Sequence, residues 1–146
     1  MDSIERQIDI DATAEKVWGL VSEPGWFIND GAIVEHRIEE VSEGVHEVHD
    51  PTHGKFRIRT EKLDPPHYAA FLWIGGEMDQ HIEERSTLVE FRIDERPGGV
   101  TLRVVESGFS KLSLTEEAKR QQFAENSKGW EVELAAAKAH VEEGGR

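Results

Sequence analysis

Apolar and polar residues alternate from the start of the chain. Ile4, Ile8 and Ile10 share one parity with Arg6, against Glu5, Gln7, Asp9 and Asp11. Period two predicts a half-buried strand. Thr13 then stands where a helix cap is wanted, and Val17, Leu20 and Val21 fall on one face of the short helix that Ser22-Glu23-Pro24-Gly25 stops. Trp26-Phe27-Ile28 follow as a second short helix or a loop. Residues 33–109 read as a succession of strands over 33–41, 45–49, 55–63, 68–74, 87–93 and 100–107. Turn signals separate them: Ser42-Glu43-Gly44, Asp50-Pro51-Thr52-His53-Gly54, Asp64-Pro65-Pro66 and Arg96-Pro97-Gly98-Gly99. Residues 75–85 are polar and irregular. After Phe109 the period changes. Ser113-Leu114-Thr115-Glu116 reads as a capping box, and Phe123, Ser127, Trp130, Leu134, Ala137 and Val141 recur at steps of three and four. These predict a long helix with one apolar stripe. Gly129 inside it costs about 1 kcal/mol relative to alanine, and a tight approach to the sheet would account for that. The tail, 142–146, is expected to fray.

The order strand, one or two short helices, six-strand meander and long helix predicts a single α+β domain over 1–146. A twisted antiparallel sheet needs its apolar face covered, and only the C-terminal helix is long enough. A sheet curved around one helix leaves room for a pocket between them.

Composition narrows the partners. Thirty acidic against seventeen basic residues give a net charge of −13, which repels nucleic acid and anionic membranes. No cysteine is present, so disulfides, thiolate zinc sites, iron–sulfur clusters and cysteine nucleophiles are excluded. Met1-Asp2-Ser3-Ile4-Glu5 has neither the basic nor the apolar stretch of a signal peptide, and no apolar run reaches the roughly 20 residues of a membrane span. A cytoplasmic protein, monomer or homodimer, without membrane insertion is the expectation.

Several segments together carry a resemblance. They are residues 10–18 at the first strand–helix join, Trp26-Phe27, Asp64-Pro65-Pro66 ahead of an aromatic strand ending in Trp73, the run 101–109, and Gly129-Trp130-Glu131 about twenty residues later. In this order the chain resembles the activator of heat-shock protein 90 ATPase homologue family of the START-like, helix-grip (SRPBCC, polyketide cyclase-like) superfamily. The resemblance implies a curved antiparallel sheet wrapped on the C-terminal helix, with a hydrophobic cavity between them. Members of the superfamily bind lipids, sterols, polyketides or hormones, and some are cyclases or hydroxylases. The eukaryotic activators stimulate a chaperone with a related domain beside a second one. No fixed catalytic residue carries over, so catalytic residues stay unassigned.

Candidate chemistry is thin. His46, His49 and His53 cluster in sequence, but His46 and His49 are three apart on a strand and point to opposite faces. No metal or organic cofactor is expected. Ser107 lacks the glycine two positions before it that a nucleophile elbow requires, and Gly75-Gly76 and Gly98-Gly99 are turns that open no helix. Glu106 shares parity with Leu102 and Val104. Facing a dry cavity it would be a polar anchor or general acid–base with a raised pKa; facing outward it would meet solvent or pair with Arg103 or Arg37. The aromatics are the richest signal. The expected ligand-binding set is Trp26, Phe27, Phe56, Ile58, Trp73, Phe91, Val104, Glu106, Phe109, Phe123, Trp130 and Leu134. Three functions follow: binding a hydrophobic or amphipathic small molecule, lipid or polyketide-like, in a cavity of roughly 300–1,000 Å³; a chaperone-linked or other protein-interaction module; or a cyclase- or hydrolase-like enzyme.

Overall fold

The computed structural model describes residues 2–29, 32–50, 54–74, 86–112 and 114–143. Strand β1 (Ser3–Ile10) leads into helix α1 (Ala14–Val21), and strands β2 (Arg37–Ser42), β3 (Val45–Asp50), β4 (Gly54–Asp64), β5 (Tyr68–Ile74), β6 (Ser86–Arg96) and β7 (Gly99–Ser107) follow in series. A single 3₁₀ turn, Phe109–Lys111, joins them to helix α2 (Glu116–Glu142). The strands form one antiparallel sheet in the order β1-β7-β6-β5-β4-β3-β2. The last six are a plain meander, and β1 adds itself beside β7. The sheet curves around α2, which is the helix-grip architecture.

Directly opposed residues share a face, so the pairings locate the core. Ile4, Glu106, Val89 and Phe71 form one row across β1, β7, β6 and β5. Thr87, Trp73, Ile58 and His46 continue the inner face toward β3. The alternation in β7 is clean, with Val100, Leu102, Val104 and Glu106 buried between half-exposed neighbours. On the outer face the Arg92 guanidinium stacks 4.7 Å from the centre of the Tyr68 ring. The Tyr68 hydroxyl donates to Glu90. Burial, reinforced by that bond, pushes the phenol up to about 12.

Helix α2 covers the inner face with Trp130, Leu134, Ala137 and Val141. Polar ties hold it to β1: Lys138 Nζ donates to the Asp9 carbonyl at 2.9 Å, and Glu142 accepts from the Asp11 amide at 2.8 Å. That amide and Lys138 hold the Glu142 carboxyl below its ordinary value.

Two local expectations change, and one open alternative is resolved. The cap of α2 is Thr115, whose hydroxyl accepts from the Ala118 amide at 3.1 Å; the proposed first residue of the box, Ser113, lies outside the described residues. Of the two readings open for Trp26-Phe27-Ile28, a short helix or a loop, the structure has the loop, as consecutive turns with the Trp26 and Ile28 amides bonded back to Glu23 and Gly25. The second strand starts at Arg37, its first residue paired across to His49. The stretch before it is tied elsewhere: Val34 donates to Asn29, and His36 turns inward against the Ile28 carbonyl. The turn expected over 50–54 and the irregular stretch 75–85 fall largely or wholly outside the described residues.

Candidate functional site

A cavity of about 210 Å³ opens between α2 and the sheet. Phe27, Ile28 and Asn29, from the turns after α1, form one side, with Phe56 of β4 and Trp73 of β5 on another. Helix α2 closes it with Glu125, Asn126, Gly129, Trp130 and Glu133.

The walls are largely aromatic. The Phe27 ring lies 5.2 Å from both Trp73 and Trp130, and the two indoles are 6.5 Å apart, all in tilted or edge-on arrangements. Phe91 backs this wall at 5.7 Å from Trp130. Such rings give a broad apolar surface that keeps its shape, because each is fixed by its neighbours.

Gly129 corrects an expectation. A Cβ built on it would meet nothing within 4 Å, so no close approach to the sheet explains the residue. It faces the cavity, and the missing side chain is part of the open volume. Gly129→Ala is therefore expected to raise the unfolding free energy by about 1 kcal/mol through helix propensity. A urea titration checks it; a loss of stability would show that the position is crowded.

Behind the helical wall sits Glu106, with no exposed surface. Trp130 Nε1 donates to its Oε1 at 2.8 Å, Asn126 Nδ2 lies 3.1 and 3.2 Å from its two oxygens, and the Thr87 hydroxyl donates to Oε2. Burial pushes the Glu106 carboxyl above its ordinary value, while bonds from Thr87, Trp130 and Asn126 pull the other way without cancelling it. Neither Arg103 nor Arg37 is its partner; Arg103 lies 3.6 Å from Glu5, and Arg37 pairs with Glu39. Asn126 and Trp130 touch the cavity and Glu106 alike, so the carboxylate fixes two cavity-lining groups without lining the cavity itself.

Of the residues expected to contact ligand, Phe27, Phe56, Trp73 and Trp130 line the cavity. Trp26, Ile58, Phe91, Val104 and Leu134 are buried in the core behind it. Phe109 and Phe123 stack on each other at 5.2 Å near the start of α2. The sequence reading did not single out Ile28, Asn29, Glu125, Asn126 or Glu133. A signal for some was available: Asn126, Gly129 and Glu133 follow one another at helical steps beside the apolar stripe.

Polar contacts tie the rim. Asn29 Nδ2 donates to the Trp26 carbonyl at 2.7 Å and to Glu133 Oε1 at 2.8 Å. His36, its side chain fully buried, places Nε2 2.5 Å from the Ile28 carbonyl and 3.0 Å from Asp50. His46 and His49 do point to opposite faces, His46 inward with Val48. His53 lies outside the described residues. Among the described residues, Glu39, Glu47 and His49 bring donor atoms within 4.8 Å of one another on the outer face. Arg37 pairs with Glu39, and Arg57 lies 4.0 Å from Glu47, so cations of the chain already serve this cluster.

Among the described residues no helix is long and apolar enough to cross a membrane. No functionally curated protein matches the chain in sequence. Solved structures do share its fold. Protein MLL2253 from Mesorhizobium loti superposes with a TM-score of 0.72 at 14% identity, covering 99% of each chain. The Aha1 dimer from Colwellia psychrerythraea gives 0.68 at 19%, over 99% of this chain and 98% of that one. CalU16 from Micromonospora echinospora gives 0.63 at 19%, over 95% and 75%. A family model described as Activator of Hsp90 ATPase homolog 1-like protein matches residues 11–142, and the chain belongs to that family.

Proposed function

We propose that this protein binds a small apolar or amphipathic molecule in the cavity between the sheet and α2. The observation that carries this reading is Gly129: a helix position left empty at a cost in stability, opening onto aromatic walls. The volume bounds the ligand. At about 210 Å³ the cavity is smaller than the roughly 300–1,000 Å³ of drug-sized sites, and larger than the ~150 Å³ that takes up benzene. A one- or two-ring molecule, or a short branched chain, fits this space; a sterol or a long acyl chain does not.

Plugging the space tests it. Gly129→Phe puts a ring where a Cβ meets no neighbour, so the variant is expected to fold. Native mass spectrometry of gently purified protein should show a small adduct on the parent and on Gly129→Ala, and none on Gly129→Phe. An adduct that survives the plug, or a parent without adduct and without response to a panel of small ring compounds, defeats the reading.

A cytoplasmic location, as a monomer or homodimer, goes with this proposal; it is supported by the cysteine-free chain and by the related fold solved as a dimer. Chaperone contact is the second reading, favoured by the family's description. The enzyme reading ranks last. Glu106, the buried carboxyl that burial raises, is closed off by three donors rather than offered to the cavity.

A further inference from the structure

One polar group on the cavity wall keeps hydrogen-bonding capacity to spare. Asn126 borders the cavity from α2 and is tied to the buried Glu106 behind it. Its Nδ2 lies 3.1 and 3.2 Å from the two oxygens of that carboxylate. The two hydrogens of an amide nitrogen diverge too widely for both to reach oxygens that share one carbon, so a single forked N–H makes this contact. The second N–H is left over. Among the described residues nothing donates to the Asn126 carbonyl oxygen, and that atom is not sealed from water. A donor and an acceptor thus remain together on a residue that lines the cavity. The other polar groups of the wall are less available. The Asn29 amide nitrogen serves the Trp26 carbonyl and Glu133, and its oxygen takes the Val34 amide. The Trp130 indole N–H is taken by Glu106. The Trp73 indole N–H has no partner, but its nitrogen is buried within the wall.

Asn126 is also held in place. The nitrogen end of its amide is drawn to Glu106, and Glu106 is fixed in turn by Thr87 and Trp130. Its free edge is therefore set before a ligand arrives, which lowers the ordering cost of binding. The described lining holds no lysine, arginine or histidine to meet an anion. A hydroxyl is the smallest neutral group that both donates and accepts, and in about 210 Å³ it leaves the remaining space to a ring.

We propose that Asn126 selects a neutral, hydroxyl-bearing ring compound, a phenol or small aryl alcohol, over the hydrocarbon of the same shape. This rests on the reading of the cavity as a ligand site and names the chemical class it takes. The ligand hydroxyl donates to the Asn126 carbonyl oxygen and takes its spare N–H, while the ring lies against Phe27, Trp73 and Trp130.

Two probes that differ only by hydroxyl for methyl, p-cresol and p-xylene, provide the test. Each is titrated into the parent and into Asn126→Leu, which keeps the size of the side chain, following the indole N–H resonances. A cavity with no partner for the hydroxyl favours xylene by about tenfold, because the hydroxyl must leave water. Cresol is expected to bind the parent at least as tightly as xylene does, and Asn126→Leu about tenfold more weakly than xylene does. A general disturbance of the fold weakens both probes alike and leaves their ratio where it was. If Asn126→Leu does not fold, the parent's own Asn126 side-chain amide resonances decide: cresol is expected to shift them well beyond the effect of xylene. Tighter binding of xylene to the parent, a ratio unchanged in Asn126→Leu, or equal amide shifts with the two probes overturns the hydroxyl selection and leaves the cavity an apolar-ligand site. Binding of neither probe up to its solubility removes this proposal and the ligand-site reading together.

Discussion

Replacing Glu106 by alanine is expected to lower the unfolding free energy by about 3 kcal/mol. Truncating a wholly buried side chain leaves a cavity, and the donors from Thr87, Asn126 and Trp130 lose their shared acceptor. Relief of the carboxylate's own desolvation offsets part of this loss. Urea unfolding measures the difference; a change below about 1 kcal/mol would mean that the charge costs nearly as much to bury as its bonds return. Glu106→Gln isolates the proton. The native carboxyl is raised, from an ordinary value of 4.5, so the folded chain holds its proton more tightly than the unfolded one. The resulting stability is fully present below pH 4.5 and is lost as pH rises through the native value. Glutamine has no such term. The parent should therefore lose stability relative to Glu106→Gln as pH is raised from the acid side. Asp2, Glu39 and Glu142 are shifted the opposite way by their hydrogen bonds and ion pairs, but they are common to both proteins and cancel in the difference. A gap between the two that does not change with pH would contradict the assignment.

Gly99→Ala is expected to cost about 3 kcal/mol as well, for a steric reason. A Cβ there would overlap the Ile10 carbonyl oxygen and stand 3.1 Å from Asp11 Cα. Both are backbone atoms at the end of β1, which cannot rotate aside as a side chain does. The neighbouring Gly98 is the control. It has φ +85° in the turn between β6 and β7, and a Cβ on it meets nothing within 4 Å. Gly98→Ala should therefore show only the conformational cost of a left-handed residue, about 1 kcal/mol. Equal losses at the two positions would mean that the hairpin, not the β1 contact, sets the requirement.

The sheet was legible because its strands obey period two closely. Parity grouped Glu106 with Leu102 and Val104 but left both an inward and a solvent-facing reading open; the structure buries it beside them on the inner face. What parity could not say is which inward groups line space and which fill it. Phe91 and Trp73 sit on the same face, yet one packs the core and the other borders the cavity. That distinction depends on how far α2 stands off the sheet, which no local pattern encodes. The polar wall was missed for a related reason. Asn126 and Glu133 flank an apolar stripe, and polar residues there ordinarily read as the solvent side of a helix. Tertiary curvature turned that flank inward. Gly129 stands out in the sequence, but an empty helix position reads the same whether a neighbour crowds it or, as here, nothing does.

The seating of β1 beside β7 also orders events during synthesis. The first strand made finds its neighbour only when the last strand has left the ribosome, and the inner face stays bare until α2 follows. At about 5–20 residues per second, the nascent chain spends seconds with a paired meander, an open strand edge and an uncovered apolar face. Pairings this distant in sequence also close slowly. The helix that later walls the cavity is thus the element whose arrival ends the chain's own exposure to aggregation.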